Sequence, residues 1–253
     1  MWVTTSIDAR GVALVTIRNG AKLNALSMPV QIALIEAMVV LGQKEQLRVV
    51  VLRGEGDRAF IGGADLRDLA GLDAGNATAF ITRVHLACHV LRTCPVPVIA
   101  RIQGYVLGAG LEIAAACDFR VASDDAVFGM PEVKIGVPSV VEAALLPQLI
   151  GWGRTRQMLL TGENISAATA SSWGLVEEVV PAASLDDAVE RLVAPILASG
   201  PKAVRLQKEL IRQWEELPAS GAVQAGIACF ARAFESDEPN HMIGQALERM
   251  RKK

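Results

Sequence analysis

Glu112 is the only charged residue between Gly104 and Cys117 in the stretch GYVLGAGLEIAAACD, residues 104–118. A carboxylate in such apolar surroundings is costly unless it is paired, hydrogen bonded or protonated. The position therefore calls either for a structural Arg or Lys partner or for a role in moving protons. Glycines 104, 108 and 110 open the stretch and let the backbone approach a neighbour closely. The first N–H groups of a helix starting there have no intrahelical acceptor and lie at its positive end. Three residues after Ala109, about one turn on, Glu112 projects toward the same face as those donors. A second acid, Glu132, follows Pro131 in FGMPEVKIGVP, residues 128–138. In RAFIGGADL, residues 58–66, two glycines make a tight strand-to-helix turn whose N–H groups can also face a ligand.

Other chemistry-bearing spacings lead less far. His85 and His89 stand four apart on an expected helix with Cys88 between them, but no acidic or histidine partner is close in sequence, so no metal site is expected. Gly108-Ala-Gly110 begins like a dinucleotide fingerprint, yet Ile113 occupies the place of the third glycine. Asp118 is expected to hold structure, and Asp65 to act in a turn or cap.

These residues need elements to position them. Gly11–Asn19 alternates and is β-branched, a strand. LRVVVL, residues 47–52, and Val98–Gln103 are short apolar runs, as expected of strands buried on both faces. Shorter strands are expected at Phe119–Ala122 and Ala126–Phe128, and helices from Ser27-Met-Pro-Val onward and over Asn76–Leu91. From Ala182 the pattern is helical, with Ser184 and Ser199-Gly200-Pro201 as start signals. Leu159-Leu160 and Ile196-Leu197 read as core. The expected division is an α/β core over residues 1–197 and a helical region over 198–253.

The bulk numbers agree with a folded enzyme-sized chain. Of 253 residues 51% are hydrophobic and 21% charged, which excludes a disordered protein, and a formal charge of -2 gives no nucleic-acid footprint. The start lacks a signal-peptide layout, no apolar run is long enough to span a membrane, and the four cysteines show no CxxC pairing. A cytoplasmic protein with small buried thiols is expected.

Taken in order, NALS at Asn24–Ser27, RAFIGGADL, GYVLGAGLEIAAACD, FGMPEVKIGVP and LTGENISAATASSWGLVEEVVP, residues 160–181, resemble the enoyl-CoA hydratase/isomerase (crotonase) superfamily. The Glu-Gly usual near that family's C-terminus is not evident at Asn240–Ile243. The resemblance implies a spiral of ββα units with a C-terminal helical trimerisation region, and a homotrimer or a hexamer of paired trimers. It implies an acyl-CoA thioester substrate, with coenzyme A entering as part of it, and no tightly bound cofactor, metal, nucleic acid or membrane partner. The backbone N–H groups of Ala64 and Ala109 are the implied donors to a thioester enolate, and Glu112 and Glu132 the implied pair that handles one water. Lys22, Ala25, Ala64, Asp65, Leu66, Arg67 and Ala109 are the implied coenzyme A contacts. Two acids favour an enoyl-CoA hydratase. An isomerase or related dehydratase is the alternative, and a non-catalytic scaffold on the same fold a further one.

One segment departs from the family pattern. Many hydratases continue after the proline at 138 with a glycine-rich turn, whereas this chain reads Ser139-Val-Val-Glu142. Larger side chains and a third acid there suggest a narrower, more polar acyl pocket, unless Glu142 faces solvent or pairs with a cation such as Lys134.

Overall fold

The computed structural model describes residues 1–251; the last two residues of the expected helical region lie outside the described residues. β1 (Val3–Ile7) and β2 (Val12–Ile17) form an antiparallel pair, followed by α1 (Met28–Gly42). Then a strand–strand–helix unit recurs. The first comprises β3 (Val49–Gly54) and β4 (Ala59–Ile61) with α2 (Leu66–Ala70) and α3 (Ala77–Arg92). The second comprises β5 (Val98–Ile102), β6 (Tyr105–Leu107) and α4 (Ala109–Ala115), and the third β7 (Phe119–Ser123), β8 (Val127–Gly129) and α5 (Leu146–Thr161). β9 (Ile165–Ser166), α6 (Ala167–Trp173) and β10 (Glu178–Val180) complete the sheets. Four helices follow: α7 (Leu185–Ala198), α8 (Pro201–Trp214), α9 (Ala219–Ala233) and α10 (Glu238–Arg251).

The first strand of each unit joins a six-stranded sheet ordered β1-β2-β3-β5-β7-β10, parallel except for β1–β2. The second strand joins a four-stranded sheet ordered β4-β6-β8-β9, parallel except for β8–β9. Each unit thus adds one strand to each sheet, the spiral that the motifs imply.

The apolar run of β3 explains why the large sheet is buried on both faces. Val50 and Leu52 point into the main core with Leu34, Phe60 and Phe128, while Val49 and Val51 point into a second core with Leu185 and Val189 of α7. The small sheet escaped the sequence pattern almost entirely. β4, β6 and β8 are three residues each and β9 two, too short for an alternation to register.

Local expectations are corrected in three places. Ser27 occupies the N-cap of α1, but its hydroxyl makes no capping bond, and Asp68 Oδ2 accepts from the Met28 N–H instead at 2.8 Å. Leu160, expected in the core, is 76% exposed, because Met158 is the residue that the end of α5 turns into the core, and Leu160 lies on another side of the helix. Cys229 is only half-buried, whereas Cys88, Cys94 and Cys117 are buried free thiols.

α8 is anchored on the α/β core by charge. Lys208 Nζ donates to Leu91 O (3.2 Å), Val96 O (3.0 Å) and Asp118 Oδ2 (2.6 Å), and Arg205 donates to Leu47 O (2.8 Å). Asp118, which also accepts from the Val98 N–H at 2.7 Å, is thus a structural acid. In contrast α9 and α10 bury no residue, and they leave Ile227, Phe230 and Phe234 open. Among the described residues no helix is long and apolar enough to cross a membrane.

Candidate active site

Pairing of β4 with β6 sets the site. Because Ile61 lies opposite Val106, the turns that follow these strands come side by side: Gly62-Gly63-Ala64 after one, Gly108-Ala109 after the other. Glycine is required at Gly108 and, one residue past Ala109, at Gly110. Gly108 has φ +51, and a Cβ there would overlap Glu132 Oε1; a Cβ at Gly110 would overlap the Ile61 carbonyl. A larger residue at 110 would push α4 off β4, and one at 108 would displace the Glu132 carboxyl.

Ala109 is the first residue of α4, so its N–H has no intrahelical acceptor. Ala64 lies in a parallel bridge with Leu26, and Leu26 N–H donates to Gly63 O at 2.8 Å, which fixes the turn. Neither the Ala64 nor the Ala109 N–H has an acceptor among the hydrogen bonds of the described residues. Both residues line one cavity of about 380 Å³, together with Glu112 and Glu132. Its other walls are apolar: Leu69 and Leu72 after the glycine turn, Phe80, Ile81 and Val84 of α3, and Ile135 and Val140 at the open side.

Glu112 is 4% exposed. Burial, and next the charge of Glu132, push its pKa up from 4.5 to about 8, against one weak backbone bond from the Ala143 N–H to Oε1 at 3.3 Å. Glu112 therefore holds a proton across neutral pH. Glu132, in a 3-10 turn over Pro131–Ile135, is half-buried and accepts from the Ser139 hydroxyl at 2.8 Å. Two carboxyls face one cavity in different environments.

Of the implied coenzyme A contacts, Ala64, Leu66 and Ala109 line this cavity, whereas Lys22, Ala25, Asp65 and Arg67 do not. Asp65 caps α2, with Oδ1 accepting from the Arg67 N–H at 2.9 Å and Oδ2 3.0 Å from Lys22 Nζ. The backbone bond from Arg67 and the pairing with Lys22 hold its carboxyl below the ordinary aspartate range. Leu66 lines the cavity and is exposed, as are Lys22 and Arg67. Ala25 is half-buried, and its carbonyl accepts from Asn19 Nδ2 at 2.9 Å. Asn24, the first residue of NALS, is fully buried at φ +54 and staples this loop to β4 through Nδ2 to Ala59 O at 2.8 Å.

Glu142 overturns both sequence expectations for it. It neither faces solvent nor pairs with Lys134, which pairs with Glu163 at 2.7 Å. It is 4% exposed and lies 2.8 Å from His85 Nδ1, outside the cavity lining. The polar-pocket expectation therefore loses its carboxylate, and the acyl side is apolar, with Ser139 and Val140 in place of glycines. His85 is engaged by Glu142, and among the described residues no group of three or more His, Cys, Asp or Glu is placed to hold a metal. Sequence reading placed Ser139 in the pocket segment but not as a donor to Glu132, and it missed His85 as the partner of Glu142; nothing in their spacing marks either contact.

Fold and site together describe an α/β protein in which paired backbone donors and two carboxyls share one apolar cavity. The chain belongs to the enoyl-CoA hydratase/isomerase family, whose model matches residues 8–252. It is 30% identical over 238 residues to the crotonyl-CoA hydratase of Syntrophomonas wolfei, covering 94% of this chain and 92% of that one. To the short-chain-enoyl-CoA hydratase of Clostridium acetobutylicum it is 31% identical over 242 residues, with the same coverage of 94% and 92%. Among solved structures, the enoyl-CoA hydratase of Mycobacterium smegmatis superposes with a TM-score of 0.95 at 30% identity, covering 98% of this chain and 97% of that one.

Proposed function

We propose that this protein is an enoyl-CoA hydratase, adding water across the 2,3 double bond of an enoyl-CoA thioester to give a 3-hydroxyacyl-CoA. The observation that carries the reading is the presence of both Glu112 and Glu132 in the cavity that also receives the free Ala64 and Ala109 N–H groups. In this reading the thioester oxygen sits between the two N–H groups. One carboxylate of the pair takes a proton from water as its oxygen bonds to the β-carbon, and the π electrons move to the thioester oxygen. The other, protonated carboxyl gives its proton to the α-carbon as the enolate collapses. The pair ends with the one proton it began with, so enoyl-CoA and one water are consumed and no other reactant is needed. Backbone donors aimed at the developing oxyanion contribute roughly 10²–10³ in rate each.

Two carboxyls support hydration over isomerisation, because a shift of the double bond along the chain needs one group to carry a proton between two carbons. The exposed Lys22 and Arg67 are the cations proposed to meet the phosphates of coenzyme A, and the apolar walls suit an alkyl chain. The relatives named as crotonyl-CoA and short-chain-enoyl-CoA hydratases add support for a short acyl group.

The test is the enoyl-thioester absorbance of crotonyl-CoA mixed with the purified protein. Its loss, with 3-hydroxybutyryl-CoA as product, is expected. A folded protein that leaves crotonyl-CoA and longer trans-2-enoyl-CoAs unchanged would overturn the hydratase reading, and conversion of 3-enoyl-CoA alone would replace it with isomerisation.

A further inference from the structure

Five residues, Ser139 to Ala143, reach both acids of the cavity. The Ser139 hydroxyl donates to Glu132 Oε2 at 2.8 Å, and the Ala143 N–H donates to Glu112 Oε1 at 3.3 Å. Between them the chain is strained: Val141 has φ +40, in the left-handed region that a β-branched residue seldom adopts. Such a conformation persists only where the surroundings over-determine it.

Glu142 is the anchor. Its side chain is 5% exposed and turns to α3, where Oε1 lies 2.8 Å from His85 Nδ1. The turn packs against both α3 and α4, the helices that carry His85 and Glu112. Glu142 Oε2 is buried without a partner. A buried acid left half-satisfied is unfavourable, and an apolar residue would pack there at lower cost. Hydration as proposed above explains what the acid contributes.

We infer that Glu142 and His85 are a positioning pair for that reaction, tying the Ser139–Ala143 turn to α3 so that its two donors stay on Glu112 and Glu132. The inference rests on the hydratase reading for its kinetic consequences only. The titratable groups acting on Glu112 are Glu132 from the preceding 3-10 turn, Glu142 from its own turn, and Cys88 from α3, while His85 meets Glu142. The charge of Glu142 adds to burial and to Glu132 in keeping Glu112 protonated, and both acids help raise the Cys88 thiol.

Three variants separate positioning from general support of the fold. His85→Ala removes the anchor at a half-exposed helix position and is expected to fold, with kcat for crotonyl-CoA down roughly 10–100-fold and KM within about twofold, the loss that a small misplacement produces. His85→Gln retains a donor and is expected to recover most of kcat. Glu142→Gln removes the charge but not the polar contact, and it is expected to move the titration of Glu112 to lower pH. That titration is read without substrate, as the infrared carboxyl band that disappears in Glu112→Gln. Unchanged kcat in folded His85→Ala, or an unmoved Glu112 titration in Glu142→Gln, would overturn the inference. A wild type inactive on every enoyl-CoA would overturn the hydratase reading instead, and the infrared titration would still decide this one.

Discussion

At the scale of single residues, the two acids of the cavity are set apart by environment. Glu112 is enclosed by α4, its preceding turn and the Val141–Leu145 turn, and burial holds its proton to about pH 8. Glu132 is more open and receives a hydroxyl donor. Glu112→Gln and Glu132→Gln are each expected to lower kcat by roughly 10²–10⁴, and the double variant by less than the product, because both groups act on one water. The same burial has a stability consequence with a definite sign. The folded protein keeps a proton on Glu112 that the unfolded chain releases above about pH 4.5, so this group makes folding less favourable as pH rises from 4.5 to about 8. Glu112→Gln, neutral at every pH, is therefore expected to melt higher than wild type at pH 8 and to lose that advantage at pH 4.5, measured by calorimetry. Equal melting temperatures at both pH values would contradict the buried, protonated state.

At the scale of elements, the site depends on the start of α4. Gly108 bends the chain at φ +51, β6 delivers it beside the β4 turn, and the helix then carries Glu112 one turn further. Ala109 is the first helical residue, where proline fits the backbone and removes only an N–H that the helix does not use. Ala109→Pro is therefore expected to keep its circular dichroism spectrum and to lose turnover by at least about 10²-fold, the worth of one oxyanion donor. A folded, active Ala109→Pro protein would remove Ala109 from the proposed donor pair. The bulkier Ala109→Val, which retains the N–H, serves as the control for crowding.

At the scale of the whole molecule, α8 and the two helices beyond it behave differently. Lys208 and Arg205 fix α8 to carbonyls and to Asp118 of the core, whereas α9 and α10 expose Ile227, Phe230, Phe234, Leu247 and Met250. Apolar side chains in such number on two adjacent helices are unusual on a lone monomer. We propose that residues 198–251 form an oligomerisation region and that the protein is a trimer or a pair of trimers. Light scattering at micromolar concentration is expected to give the mass of three or six chains, and Phe230→Glu to shift it downward. A monomeric wild type would rule the assembly out.

Sequence by itself determined the family, the β3 and β5 strands and the α3 helix, and it singled out Ala64, Ala109, Glu112 and Glu132, which the structure gathers around one cavity. These were legible because glycine turns and a lone acid in an apolar run are local signals, carried by residues close together in the chain. The short strands β4, β6 and β9 were not, since two or three residues cannot display a period and are strands only through their neighbours; of the small sheet only β8 was expected, at Ala126–Phe128. The fate of Glu142 lay further still from local pattern. Its partner His85 is 57 residues away on another helix, and only the packing of α3 against the Val141–Leu145 turn decided that a residue expected at the pocket or in solvent is a buried acid behind the site. Pairings of that kind depend on burial and distance in three dimensions, which residue order alone does not encode.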